Sequence, residues 1–227
     1  MAAQHWLPLE SNPEVLNGFA AKLRASPSHA FHDVFGLEAE LLAMVPQPAI
    51  AVLLLFPPDQ MREAKAEQLE RLRAEAYAPE PGLFFMRQYV GNACGTIAAV
   101  HALLNNKNLV TAGSELGAFL EANAQLTPEE RGANLARAEF VSAATAESAQ
   151  GGQTAAPRVG EDVEHHFVVF VQHGGNVYEL DGTKPFPIKH GPVLGGDLLA
   201  TAAEVIKREF FAHAPDGQFN VMALAPA

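Results

Sequence analysis

The sequence is poor in cysteine, with Cys94 the only one among 227 residues. A single thiol cannot form an internal disulfide, so we expect the chain to fold without disulfides and in a reducing compartment. Its first residues, Met-Ala-Ala-Gln-His-Trp, lack the basic and apolar regions of a signal peptide. These absences predict a cytoplasmic protein, with the nucleus as a second candidate compartment.

Long apolar runs and an excess of basic charge are also missing. The longest apolar run, residues 49–56, is too short to cross a bilayer, so no membrane association is expected. With 15 Lys and Arg against 26 Asp and Glu, the net charge of −11 argues against nucleic acid and favours a basic partner. The nine histidines show neither HExxH nor paired Cys/His spacing. We therefore expect no metal.

What the chain does contain is enough apolar material for one core. Of its residues 48% are hydrophobic, and the length suits a single domain over residues 1–227. Predicted helices cover residues 13–23, 37–45, 62–76, 94–104, 115–122, 128–141 and 198–210. Predicted strands cover residues 31–35, 49–56, 166–171, 176–181 and 219–224, and residues 142–163 are predicted to be irregular.

Cys94 lies where an apolar run ends and a helical pattern begins. Four apolar residues after it recur at the spacing of one helix face: Ile97, Val100, Leu103 and Leu104. Free N–H groups and the positive end of the dipole at a helix start lower the pKa of a thiol. Gly91 and Gly95 would leave space for a substrate backbone. Cys94 is thus a candidate nucleophile; the alternative is a buried structural cysteine.

Two predicted strands supply a candidate base and a group to orient it. A Gly-Gly pair joins residues 166–171 to residues 176–181 in the pattern of a β-hairpin. With a two-residue turn, His166 and Asp181 are diagonal neighbours on one face, within side-chain reach. A three-residue turn would favour His165 instead, so the pattern leaves the choice of histidine open.

Gln88 precedes the candidate nucleophile by six residues. Its amide is a neutral donor that can stabilise the oxyanion formed when a thiolate attacks a carbonyl, together with a backbone N–H at the helix start. Taken alone, such a glutamine is as readily a surface residue.

In their order and spacing these residues resemble the ubiquitin carboxyl-terminal hydrolase (UCH) family, and within it the single-domain isozyme L3 type. The matching segments run along the whole chain: WLPLESNPEV at 6–15, residues 49–56, NACGT at 92–96, TPEE at 127–130, QTAAP at 153–157, HF at 166–167 and YELDGTKPFP at 178–187. The resemblance implies a papain-like α/β (α+β) fold, a central antiparallel sheet flanked by helices on both sides, with a knotted backbone.

Carried over position by position, the resemblance makes Cys94 the nucleophile, His166 the general base, Asp181 the residue that orients it and Gln88 the oxyanion donor. The implied reaction is hydrolysis after the C-terminal glycine of ubiquitin, releasing small or unstructured adducts. NEDD8 is a second candidate partner. No cofactor is implied, and we expect a monomer.

The resemblance also implies a binding surface and a loop over the active site. The residues matched to ubiquitin-contacting positions are Trp6, Leu9, Glu10, Glu14, Asp33 and Asp216, the last in a segment one residue shorter than the family's. The acids suit the arginine-containing tail of ubiquitin, although a helix start or a solvated surface would carry the same residues. Residues 142–163 match the crossover loop of the family, and Gln153, Thr154 and Pro157 belong to it.

Two other functions stay open at this stage. A ubiquitin-binding or ubiquitin-stabilising protein with little turnover would keep the binding residues, although all four chemical residues are present here. A general papain-like peptidase is disfavoured by the acidic docking positions and the reducing compartment. Casein or short peptides as substrates would distinguish a general peptidase from a ubiquitin-directed enzyme, because the ubiquitin-directed enzyme should leave these substrates intact.

Overall fold

A six-stranded antiparallel sheet is the centre of the fold. The structure, a computed structural model, describes residues 4–75, 77–78, 80–153, 161 and 163–227. The strands are β1 His29–Asp33, β2 Ala51–Phe56, β3 His166–His173, β4 Asn176–Leu180, β5 Ile188–Pro192 and β6 Asn220–Pro226. They lie in the order β1-β6-β2-β3-β4-β5, so β2 and β6 are central although they come from opposite halves of the chain.

Helices cover both faces of this sheet. They are α1 Pro13–Lys22, α2 Ala39–Leu42, α3 Pro58–Ala74, α4 Cys94–Asn105, α5 Glu115–Asn123, α6 Pro128–Ala136, α7 Glu139–Ala149 and α8 Leu198–Ile206, which continues as a π-helical turn, Lys207–Phe211. Leu53 of β2 points into a core that includes α1 and α4, whereas Leu54 points into a second core that includes α8. Because β2 is buried on both faces, its sequence is apolar without alternation. The predicted two-sided α/β architecture is confirmed; the knotted path stays a prediction.

The β3–β4 hairpin has the register of a two-residue turn, one of the two alternatives that the sequence left open. His173 pairs with Asn176, and the two glycines between them have φ of +54° and +77°. Positive φ at both positions is the requirement of a type I′ turn, which glycine meets without strain. The two-residue turn pairs Val169 with Leu180, and this register puts His166 and Asp181 on the same face of the sheet.

Helix starts follow the capping residues in the sequence. The Asn12 side chain accepts a hydrogen bond from the backbone N–H of Glu14 at 2.8 Å and begins α1. Thr127 and Glu130 form a capping box at α6, and Ser114 caps α5. The predicted helix over 37–45 is shorter than expected and reduces to α2.

The segment predicted to be irregular from residue 142 begins instead as helix. Helix α7 extends to Ala149, and its buried residues are Val141, Ala144, Thr145, Ser148 and Ala149. Small side chains of this kind give little hydrophobic periodicity, yet they allow close approach to α1 and α4. The hydroxyls of Thr145 and Thr96 of α4 lie 3.2 Å apart. The prediction was wrong here because this packing depends on residues far away in the sequence.

Helix α3 is also packed differently from expectation. Residues 62–76 are rich in charge, with Leu69 and Leu72 as a thin apolar stripe, a pattern that predicts a solvated helix or a mobile excursion. In the structure the buried residues are instead Met61, Lys65, Gln68 and Leu72. Lys65 is buried because its amine pairs with Glu179 of β4. Among the described residues, no helix is both long and apolar enough to cross a membrane.

Candidate active site

Cys94 is the first residue of α4 and is only 8% exposed. Burial by itself raises the pKa of the thiol. A hydrogen bond to His166, the charge of that residue and the backbone N–H groups of Phe167 and Gly95 outweigh burial, so the pKa of Cys94 lies below its ordinary value. The structure therefore favours a thiolate at this position.

His166 and Asp181 form a buried pair beside the thiol. His166 Nε2 lies 2.8 Å from Asp181 Oδ1, which leaves Nδ1 as the ring nitrogen for Cys94. Burial lowers the pKa of His166, but Asp181 and Cys94 together raise it above its usual value. Burial raises the pKa of Asp181, and the charge of His166 holds it well below its usual value. The three groups thus favour thiolate, imidazolium and carboxylate.

Thr183 and Phe56 hold this pair in place, and neither residue was predicted from the sequence. The backbone N–H and hydroxyl of Thr183 donate to Asp181 Oδ1 at 2.9 and 2.7 Å. The Phe56 ring packs edge-on against the His166 ring with centroids 5.6 Å apart. An acid followed two residues later by threonine is a recognisable Asx-type turn signal. The role of Phe56 had no local signal, because it arises from the pairing of β2 with β3.

Gln88 lines the same cavity as Cys94, His166 and Asp181. Its backbone N–H donates to the carbonyl of Gly182 at 2.8 Å, and its side-chain Nε2 donates to the carbonyl of Val90 at 3.0 Å. An amide nitrogen has two N–H donors, so one remains for a further acceptor. The structure brings all four predicted chemical residues together.

Cys94 lies between two cavities that also share Val163 and His165. The first, here called the strap cavity, has a volume of 260 Å³ and is bordered by Leu9, Glu10, Gly95 and Phe167 among others. The second, the α3 cavity, has a volume of 520 Å³ and is bordered by the first half of α3, by the His166–Asp181 pair and by Lys184. A substrate that spans Cys94 would occupy both.

The two glycines near Cys94 have different surroundings. A Cβ on Gly95 would lie 3.2 Å from the Phe167 ring and 3.3 Å from Leu9 Cβ, so this wall of the strap cavity has no room for a side chain. Gly91 faces the ring of His5 instead, and its carbonyl accepts a hydrogen bond from the Trp6 N–H at 3.0 Å. The expectation that Gly91 leaves space for a substrate is therefore wrong, because the N-terminal segment fills that space.

Only some of the residues matched to ubiquitin-contacting positions border the cavities beside Cys94. Leu9 and Glu10 border the strap cavity. Trp6 is 7% exposed and packs in the core, and its contact with a partner stays a prediction. Asp33 lies at the end of the edge strand β1 and is half-buried. The two remaining acids are exposed and border neither cavity: Glu14 and Asp216.

The predicted loop residues are described only in part. Gln153 is exposed, whereas Thr154 and Pro157 lie outside the described residues. Just before them, a Cβ on Gly152 would collide with the carboxylate of Glu10. The segment after α7 therefore lies against the strap cavity. Over the described ranges, no group of three or more His, Cys, Asp or Glu side chains is placed to hold a metal ion.

Comparison with known proteins places this geometry in a family. Residues 6–210 match the family model described as "Ubiquitin carboxyl-terminal hydrolase, family 1". A ubiquitin carboxyl-terminal hydrolase of Drosophila melanogaster is 45% identical over 225 residues, which cover 98% of both chains. One from Aplysia californica is 44% identical over 216 residues, covering 94% of this chain and 98% of the relative. Isozyme L1 of Rattus norvegicus is 40% identical, covering 97% and 98%.

The fold is shared with solved structures as well. The Trichinella spiralis UCH37 catalytic domain, crystallised with ubiquitin vinyl methyl ester, superposes with a TM-score of 0.79 at 22% identity, covering 100% of this chain and 98% of that one. The papain-like α/β arrangement expected from the sequence is thereby confirmed. By the match to the family model and by relatives along nearly its whole length, the chain belongs to the ubiquitin carboxyl-terminal hydrolases of family 1, which are cysteine peptidases.

Proposed function

We propose that this protein hydrolyses the bond after the C-terminal glycine of ubiquitin by a Cys–His–Asp mechanism. The observation that carries the proposal is a buried cysteine of lowered pKa, hydrogen-bonded to a His166–Asp181 pair, between two cavities. The family of the chain supplies the substrate class. A structural neighbour from Trichinella spiralis has ubiquitin vinyl methyl ester bound, which supports ubiquitin as the partner.

The reaction begins when the Cys94 thiolate attacks the carbonyl carbon of the terminal glycine. The carbonyl electron pair moves onto oxygen, where the Gln88 amide and the Cys94 backbone N–H stabilise the charge. The oxyanion then collapses, the C–N bond breaks, and the His166 imidazolium gives its proton to the leaving amine. Water that has lost a proton to His166 attacks the thioester, and Cys94 leaves as thiolate. Asp181 keeps the ring oriented through both steps.

With the scissile bond at Cys94, the two parts of the substrate on either side of this bond occupy the two cavities. The strap cavity suits the ubiquitin tail because Leu9 and Phe167, packed closely against Gly95, make this wall apolar and narrow, and because Glu10 is acidic. Ser11 extends this wall through a 2.6 Å hydrogen bond to Asn220 of β6, in the direction of Asp33. The α3 cavity is then the place of the leaving group.

We extend the proposal to NEDD8 as a second substrate and to small or unstructured adducts. The limit on the size of the adduct follows if residues 150–163 act as the crossover loop. This loop begins later than predicted, because α7 extends to Ala149. The contact of Gly152 with Glu10 supports this position. We also propose that the protein is a single domain that acts as a monomer in the cytoplasm.

The first experiment is labelling with ubiquitin that has an electrophile at its C-terminus. The wild type should gain the mass of one ubiquitin, and Cys94→Ala should gain none while still binding ubiquitin. His165→Ala is the matched control, because this neighbour borders the site without the Asp181 hydrogen bond. A NEDD8 electrophile forms a parallel arm.

Each outcome separates the rival functions. If the wild type binds ubiquitin but is not labelled, the protein is a ubiquitin-binding protein and not a hydrolase. Hydrolysis of casein without labelling would favour a general peptidase. If the protein neither binds ubiquitin nor is labelled by the ubiquitin electrophile, ubiquitin is excluded as the partner.

Gln88→Ala tests the oxyanion donor. We expect kcat to fall roughly 10²–10³-fold, as for the loss of one such donor elsewhere, with ubiquitin affinity unchanged. The release of a fluorescent amine from the C-terminus of ubiquitin measures kcat, and titration with unmodified ubiquitin measures affinity. Gln172→Ala, an exposed glutamine of β3, should match the wild type. An unchanged kcat in Gln88→Ala would contradict the assignment.

A further inference from the structure

The α3 cavity contains one lysine whose amine forms no ion pair with any residue that the structure describes. The charged side chains that border it are Asp59, Arg62, Lys65, Asp181 and Lys184. All but one of them are paired. Within the part of the chain that the structure describes, the Lys184 amine makes no hydrogen bond and no ion pair.

The other charges of the cavity cancel within close pairs. Arg62 pairs with Asp59 on the outer surface of α3. Lys65 donates to both carboxylate oxygens of Glu179 at 3.0 Å. Asp181 accepts from His166 and Thr183, as described above. Apart from the Cys94–His166–Asp181 group itself, the charge in the described part of this cavity that is not cancelled within a close pair is therefore that of Lys184.

The position of Lys184 is fixed by the same turn that holds the reactive groups. Its backbone N–H donates to the carbonyl of Asp181 at 2.9 Å, and the Thr183 N–H donates to the Asp181 side chain. The positive charge of Lys184 also helps to lower the pKa of Asp181, so its amine lies within electrostatic reach of the reaction centre. Lys184 thus borders the same cavity as Cys94 and the His166–Asp181 pair.

The two sides of Cys94 differ in their ionisable groups. Apart from Cys94 and His165, which border both cavities, the ionisable group described on the strap-cavity side is the acid Glu10, whereas the α3 side adds the base Lys184 to its paired charges. We infer that the α3 cavity is a leaving-group subsite that selects peptides with a carboxylate next to the scissile bond, and that Lys184 determines this preference. The inference rests on the proposed function, because a leaving group requires hydrolysis at Cys94.

The test uses three ubiquitin fusions with one short C-terminal peptide. They differ only in the residue after the last glycine of ubiquitin, which is aspartate, asparagine or lysine. For the wild type we expect kcat/KM to fall in that order, by roughly two- to fivefold per step, the size of a partly exposed charge interaction. Lys184→Gln should abolish the order and Lys184→Glu should reverse it. Raising the salt concentration should bring the ratios of kcat/KM between the three fusions closer to one.

The comparison between fusions separates specificity from damage to the site. Any effect of Lys184 on Asp181 changes all three rates alike and cancels in their ratio. Lys107→Glu is the matched control, since this exposed lysine follows the far end of α4 and gives the same change in net charge. It should keep the wild-type order.

The outcomes also distinguish this inference from the proposed function. Equal ratios in the wild type and Lys184→Glu, with both enzymes labelled by the ubiquitin electrophile, would overturn the subsite and leave the hydrolase standing. A wild type that neither labels nor hydrolyses would overturn both.

Discussion

At the scale of single residues, reactivity depends on how His166 offsets the burial of Cys94. The thiol is nearly inaccessible, a condition that raises its pKa, yet the neighbouring imidazolium and backbone N–H groups lower it. Because the sequence has no other cysteine, this balance can be measured directly by alkylation of the whole protein.

The pH dependence of alkylation follows from this balance. The thiolate exists above the pKa, so in the wild type the rate with iodoacetamide should rise at a lower pH than for an ordinary thiol. His166→Ala keeps most of the burial and removes the charge, so its midpoint should move upward by about one to three pH units. His165→Ala should keep the wild-type midpoint. Equal midpoints for wild type and His166→Ala would exclude the ion pair.

At the scale of elements, a buried charge cluster attaches α3 to the sheet. Glu179 of β4 is 1% exposed and accepts hydrogen bonds from Lys65 at 3.0 Å and from His190 Nε2 at 2.8 Å. The Lys65 amine also lies 4.0 Å from the centroid of the Phe210 ring. The same helix borders the α3 cavity, so this cluster positions the wall of the proposed leaving-group subsite.

Glu179→Gln should therefore destabilise the fold by about 3–5 kcal/mol at neutral pH, because it leaves the Lys65 charge buried without its partner. Urea unfolding measures the change. Glu121→Gln, an exposed glutamate of α5, should stay within about 0.5 kcal/mol of the wild type. Adding Lys65→Met to Glu179→Gln should recover part of the loss. Wild-type stability in Glu179→Gln would show that the pair contributes nothing.

The same cluster predicts how stability depends on pH. Burial raises the pKa of Glu179, but Lys65 and His190 outweigh it and lower the pKa from 4.5 to about 2. The unfolded chain thus binds more protons between these values, so the free energy of unfolding should decrease as the pH falls from about 5 to about 2. Urea unfolding at several pH values should give a smaller slope for Glu179→Gln, with Asp181 retaining part of it. Equal slopes would contradict the assignment.

At the scale of the whole molecule, the net charge of −11 should control association with a basic partner. Raising sodium chloride from about 50 to about 500 mM should lower kcat/KM for a ubiquitin substrate by about tenfold or less, with kcat nearly constant. Alkylation by uncharged iodoacetamide should not change over this range. A kcat/KM independent of salt would show that the acidic surface does not steer binding.

Local patterns predicted much of this architecture because their physical causes are local. Capping by Asn12 and Thr127 acts within one helical turn, and the glycine pair of the β3–β4 hairpin determines its turn and register. The predictions failed where burial depends on distant partners. The small residues of α7 and the buried amine of Lys65 give no periodic signal, and Trp6 could not be assigned to core or surface from its neighbours alone.

The sequence by itself determined the absence of internal disulfides, the acidic charge and the position of Cys94 at a helix start, and it reduced the histidine facing Asp181 to His165 or His166. Only the tertiary structure decided the two cavities beside Cys94, the lowered pKa of its thiol and the position of Lys184 at one of these cavities. These properties depend on which side chains approach one another from separate elements. Charge and hydrogen bonding in a buried site are set by such neighbours, which spacing along the chain does not specify.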